Sequence, residues 1–219
     1  MKLAKFWSVL QFLVVVGTVL LLSYANVTDG ARCAYADAGN VKNFITKTAR
    51  DVTAIINLGD TEQNKADKLQ KLFEKVVDIE WMGKFALAKS WGKFTPDEQN
   101  EYMINYKAYL VRLYIPRFKE YNDQVLNITD VKTLSNQQYL IMTQIILNNA
   151  GANSSGNSPG GIINVGYRCK EFDVNTILIR DIIGENISLI NTQRSEFSSI
   201  IEKEGPTALI TLLKSKSIK

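Results

Sequence analysis

Few residue types in this 219-residue chain could do chemistry, and the absences narrow the field. There is no histidine. That removes the usual general base, the Ser–His and Cys–His nucleophile pairs and the commonest transition-metal ligand. No GxxxxGK[ST] or GxGxxG run offers a phosphate cradle. What remains is a stripe of phenols at Tyr102, Tyr106, Tyr109 and Tyr114, with Leu110 and Leu113 among them, and two aspartates further on, Asp130 and Asp181. Asp and Tyr can run acid–base chemistry without histidine, as in steroid-isomerase-like sites. A polar cluster deep in a pocket would support that reading, and an all-apolar pocket would sink it. Lys84, Arg112 and Arg117 could meet a phosphate at a rim, although surface solvation is the plainer role for each.

The elements that must position these groups are helical first and β later. Apolar spacing predicts helices over 41–56, 61–77 and 79–89. The best-marked helix runs over 95–121. Thr95 and Glu98 form a capping box, Pro96 suits the first turn, and Asp97 and Glu98 face the positive end of the helix dipole. Pro116 predicts a kink or break near Leu113–Pro116, because it removes one N–H and crowds the carbonyl of Arg112. From residue 124 the period changes to two. Strands are expected over 125–134, 138–147, 162–170 and 176–183, forming a four-stranded antiparallel meander with one covered face. Thr192 can cap a helix over 193–204, and Gly205-Pro206 separates it from one over 207–213. The stretch 148–161 (NNAGANSSGNSPGG) has flexible-linker composition and reads as an insertion.

The first residues read as a targeting segment. Lys2 and Lys5 precede an uncharged apolar run from Phe6 to Leu22, and Ala34-Tyr35-Ala36 is a small-x-small cleavage site. Cleavage there leaves a single domain, 37–219; the alternative is an uncleaved anchor over 1–36. Either way the body is exported. Only Cys169 then remains, so no intramolecular disulfide forms, and its place on the apolar face of its strand predicts an inert buried thiol. With 26 Lys and Arg against 22 Asp and Glu, the chain lacks the strongly basic balance of a nucleic-acid binder.

Two segments carry a resemblance. One is DIEWMGKFALAKSW (78–91), followed by TPDEQ (95–99) and the tyrosine-bearing helix. The other is IRDIIGENISLINTQRSEF (179–197), followed by an Ile-Ile, Gly205, Leu-Ile ending. Together they resemble the MlaC family, also called toluene-tolerance proteins, over nearly the whole exported part. The chain departs from the family pattern at Ala88, where glycine is usual, at Lys84, where arginine is usual, at Ile177, near a usual tryptophan, and in the length of 148–161. The resemblance implies an α+β fold: a curved antiparallel sheet packed by N-terminal and C-terminal helices around an apolar pocket. It also implies a periplasmic, non-enzymatic protein of the Mla (maintenance of lipid asymmetry) system. Such a protein is expected to be monomeric, with no cofactor or metal. It would hold one phospholipid by its acyl chains and pass it between an inner-membrane ABC transporter complex and an outer-membrane lipoprotein complex.

On that reading the pocket has two walls. Trp81, Phe85, Tyr106, Tyr109, Leu110, Leu113 and Tyr114 supply the helical one. Ile141, Ile145, Val165, Tyr167 and Ile179 supply the sheet. Apolar lining and apolar core share one sequence pattern, so each residue taken singly is equally a packing residue. Two other readings stay open: an exported interaction module with a solid core, and the Asp/Tyr enzyme. Arg194 and Asp181 are expected to be structural, in capping or in a buried pair.

Overall fold

The computed structural model describes residues 34–119, 125–146, 162–173 and 175–217. Residues 1–33 of the targeting segment and the whole 148–161 insertion therefore lie outside the described residues, as does the end of the expected long helix beyond Lys119. In chain order the elements are α1 (Ala34–Ile56), α2 (Glu62–Val76), α3 (Ile79–Leu87), a 3-10 turn (Ala88–Lys93) and α4 (Pro96–Lys119). The strands follow: β1 (Val125–Thr133), β2 (Gln138–Ile146), β3 (Ile162–Asp173), β4 (Thr176–Gly184) and β5 (Ile187–Ser188). Two helices, α5 (Leu189–Glu204) and α6 (Pro206–Ser217), complete the order. No helix among the described residues is long and apolar enough to cross a membrane.

Helix starts follow local chemistry. Thr61 Oγ1 accepts from Asn64 N, and Asp78 Oδ1 accepts from Trp81 N. The capping box of α4 forms in both directions: Thr95 N donates to Glu98 Oε2 at 2.9 Å, and Glu98 N donates to Thr95 Oγ1 at 3.3 Å. Two expectations need correction. The helix α4 is not broken at Pro116 but continues to Lys119. The C-terminal helix α5 starts earlier than Thr192: Ser188 caps it by accepting from Asn191 N at 3.2 Å, while Thr192 bonds back to the Ser188 carbonyl at 2.9 Å. Serine and threonine both cap well; here the preceding hairpin delivers Ser188 first.

The sheet is a meander in the order β1-β2-β3-β4-β5, antiparallel throughout. It has five strands rather than the expected four. The fifth is two residues long, too short to show an alternating pattern. It is reached through Glu185 and Asn186, which take φ of 48° and 67°, as a two-residue hairpin turn of the primed type requires. Register places Tyr139 opposite Cys169, Ile141 opposite Tyr167 and Thr143 opposite Val165, so these side chains share one face. On the other face Gly166 leaves no room for a side chain: a Cβ would lie 3.1 Å from Met142 Sδ and 3.3 Å from Ile183 Cβ.

Helix α3 ends in a strained residue. Ala88 closes it at φ 47° and ψ −123°, with its N–H bonded to the Lys84 carbonyl. L-residues rarely adopt this backbone, and glycine does so freely. The family's usual glycine at this position therefore has a physical reason. Ala88→Gly is expected to stabilise the fold by about 1 kcal/mol, because the strain relieved (about 1–3 kcal/mol) exceeds the chain entropy added (about 0.5–1 kcal/mol). A higher urea midpoint at unchanged slope is the signature; a midpoint lowered by the added chain entropy, about 0.5–1 kcal/mol, would mean that the alanine backbone carries no strain.

Candidate functional site

The interior is one continuous core to which both α4 and the sheet contribute. Tyr102, Tyr106 and Leu110 have no exposed surface. The rings of Tyr102 and Tyr106 stack at 5.5 Å, and Phe197 of α5 meets both edge-on at 6.5 and 6.2 Å. Gly83 of α3 lets this pair approach, since a Cβ there would sit 3.0 Å from the Tyr106 ring. From the sheet, Tyr139, Ile141, Cys169, Ile177 and Ile179 are buried.

The predicted wall residues divide into three groups. Tyr106, Leu110, Ile141 and Ile179 belong to the continuous buried core, and Trp81, Phe85, Tyr109, Tyr114 and Tyr167 are half-buried and packed against it. Leu113, Ile145 and Val165 behave differently. Ile145 is fully buried, and the other two are half-buried, yet none of the three belongs to that core. Ile145 and Val165 lie toward one end of the sheet, where Val125, Ile146 and Ile162 are in register. That end also exposes apolar side chains at Val125, Ile162, Ile163 and Ile187, the largest exposure being 56% at Ile162. Four exposed apolar side chains cluster at this end, while Leu134 and Phe172 are exposed toward the other; a cluster asks for an explanation that scattered single residues do not.

Trp81 and Phe85, packed against the core, also stack on each other at 4.8 Å, and the stack is flanked by Arg180 over Trp81 at 4.7 Å and Arg194 over Phe85 at 5.1 Å. Arg180 also donates to Asp78 Oδ2 at 2.8 Å, which ties the start of α3 to β4. Lys84 pairs with Glu80 at 2.6 Å and lies over Trp91. Arg112 lines a shallow groove of about 390 Å³ with Gln70, Ile104 and Lys107, and Arg117 is half-buried on the last turn of α4.

Electrostatically the interior disfavours charge. Burial, then the neighbouring Tyr102, Tyr114, Tyr109 and Asp181, raises the Tyr106 phenol well above its usual range. Burial, then Glu196, pushes Tyr109 up to about 12. Burial also raises Tyr114, with smaller contributions from Tyr109, Asp181 and Tyr167. The Cys169 thiol is buried and pushed up in the same way. These groups stay neutral at physiological pH. Asp181 is 1% exposed and fully engaged: Oδ2 accepts from Ser188 Oγ at 2.6 Å and Oδ1 from Ile190 N at 3.1 Å. It holds the start of α5, the capping role expected of it.

Gln193 was not among the predicted site residues. It is 2% exposed, and its Oε1 accepts from Tyr106 Oη at 2.8 Å. A signal was available: with Ile190, Phe197 and Ile201 it occupies the buried stripe of α5, so it is a polar residue at an apolar position.

A helix-covered antiparallel meander, with neutral phenols in its core and a cluster of exposed apolar side chains at one end of the sheet, defines an α+β protein whose interior disfavours charge. The chain belongs to the MlaC protein family, whose sequence profile matches residues 46–215. No curated protein matches it. Among solved structures, the phospholipid-binding protein from Ralstonia solanacearum, determined in complex with a phospholipid, is similar in fold. The TM-score is 0.65 at 19% identity, over 83% of this chain and 96% of that one.

Proposed function

We propose that this chain is a periplasmic carrier that binds one phospholipid by its acyl chains between α4 and the sheet. It would pass that lipid between an inner-membrane ABC transporter complex and an outer-membrane lipoprotein complex. The observation that carries the binding step is the set of apolar side chains outside the core, Leu113, Ile145 and Val165, beside the exposed apolar end of the sheet. Membership of the MlaC family, and a similar fold described as phospholipid-binding, support it. The physics requires such a device. Each buried methylene is worth about 0.8 kcal/mol, so two long acyl chains hold a lipid in its bilayer by tens of kcal/mol gross. A carrier must match that surface without strong headgroup contacts, or it could not release its cargo. The hydrogen bonds of Asp181 to Ser188 Oγ and Ile190 N give it a structural part in holding α5, which favours the carrier reading over an Asp/Tyr enzyme.

The test is native mass spectrometry, with organic extraction, of the purified chain. One phospholipid per folded chain is expected. Folded protein that carries no lipid and takes none up from vesicles would overturn the proposal.

A further inference from the structure

Gln193 has more hydrogen-bonding capacity than its surroundings use. The side chain is 2% exposed, and its oxygen is taken by the Tyr106 hydroxyl at 2.8 Å. Its Nε2 is buried and has no hydrogen-bond partner. A buried primary amide with both N–H groups unmet is costly and rare. Exchanging the amide O and N does not remove the problem. The nitrogen would then donate to Tyr106, and both the amide oxygen and the phenol proton would lack partners. The neighbouring Asp181 carboxylate, whose oxygens accept from Ser188 Oγ and Ile190 N, does not reach Nε2. Nε2 is thus left open to an acceptor from outside the chain, a water or a ligand.

The surroundings limit what that acceptor can be. Tyr106 is packed by Tyr102 and Phe197 and has no exposed surface. Burial there raises both phenols, so the locality penalises anions. A phosphate is a poor guest. A neutral carbonyl oxygen joined to apolar chains is a good one.

We infer that Gln193, oriented by Tyr106, is the polar anchor that donates Nε2–H to an acyl-ester carbonyl of the bound lipid. The inference rests on the lipid-carrier reading and deepens it: the cargo is a glycerolipid with ester-linked chains, recognised at the ester and not only by its hydrocarbon. A site built to bond a polar group discriminates strongly against the analogue that lacks it. Ether-linked lipids of the same length carry the same hydrocarbon but no carbonyl.

The experiment loads delipidated full-length chain from vesicles of diacyl or dialkyl phosphatidylglycerol of matched chain length, with bound lipid counted by native mass spectrometry. Wild type is expected to prefer the diacyl lipid by about tenfold, the effect of one buried hydrogen bond. Gln193→Leu is expected to take both lipids equally, at the wild-type level for the dialkyl one. Equal loading of both lipids in wild type would overturn the inference and leave Nε2 to a buried water; so would a preference that survives in the variant. Failure to load either lipid would instead overturn the carrier reading itself. If Gln193→Leu does not fold, wild type alone decides. With carbonyl-13C-labelled diacyl lipid, the ester stretch should move to lower wavenumber on binding, and an unmoved band would overturn the assignment.

Discussion

Asp181→Ala is expected to destabilise the fold by about 2–3 kcal/mol, the largest stability loss anticipated from any single polar deletion here. Three contributions set that figure. Losing the acceptor of Ile190 N leaves a buried N–H unmet, at about 1–3 kcal/mol. Freeing the hydroxyl of Ser188 loosens the cap of α5, at about 1 kcal/mol. Removing a buried carboxylate returns part of its own desolvation cost, which keeps the total below the sum of the first two. Asp181→Asn retains one acceptor and should lose about half as much. Ser188→Ala alone should cost about 1 kcal/mol. Because Asp181 Oδ2 and Ser188 Oγ are bonded at 2.6 Å, the double variant should lose less than the two single losses added. Urea midpoints of the four proteins measure this. Strict additivity would show that Asp181 and Ser188 act independently and that the capping account is wrong.

The fold was largely legible in the sequence, and the reasons are specific. Thr95, Pro96 and Glu98 announce α4 because capping is local chemistry, and the structure closes that box in both directions. The change of period near residue 124 marks the start of the sheet, because alternation is a direct consequence of strand geometry. What escaped depends on tertiary context. The strand β5 is two residues long and exists because a Glu185–Asn186 turn folds it onto β4. Of the kink or break expected at Pro116, the break does not occur and α4 runs through it. The candidate site was legible only as a pool of apolar residues. Sequence pattern listed Trp81 and Phe85 among the wall residues but could not show that Arg180 and Arg194 flank their stack. Those partners lie on β4 and α5, about a hundred residues away in the chain. Gln193 escaped because a polar residue within an apolar stripe is easily set aside, although such a residue has to find a partner.

Leu113→Trp is expected to reduce phospholipid loading by tenfold or more while changing unfolding free energy by less than about 1 kcal/mol. The dissociation of the two effects is what distinguishes lining from core. In a tight core, added bulk strains its neighbours at about 1–3 kcal/mol, and Leu110→Trp should show that cost because Leu110 has no exposed surface and sits in the continuous core. Leu113 is half-buried and outside that core, so an indole there can occupy space that a ligand would otherwise fill. If it displaces about two methylenes of an acyl chain, the loss is about 1.6 kcal/mol, or somewhat more than a factor of ten in affinity. Ile104→Trp is the control, since Ile104 is 61% exposed on the same helix and should alter neither quantity. Loading by native mass spectrometry and stability in urea, measured on all three variants, separate the outcomes. If Leu113→Trp destabilises as much as Leu110→Trp and loads lipid normally, Leu113 is a packing residue and the ligand lies elsewhere. If loading falls while stability holds, the half-buried end of the α4 stripe carries the cargo and the fully buried tyrosines upstream provide its rigid backing.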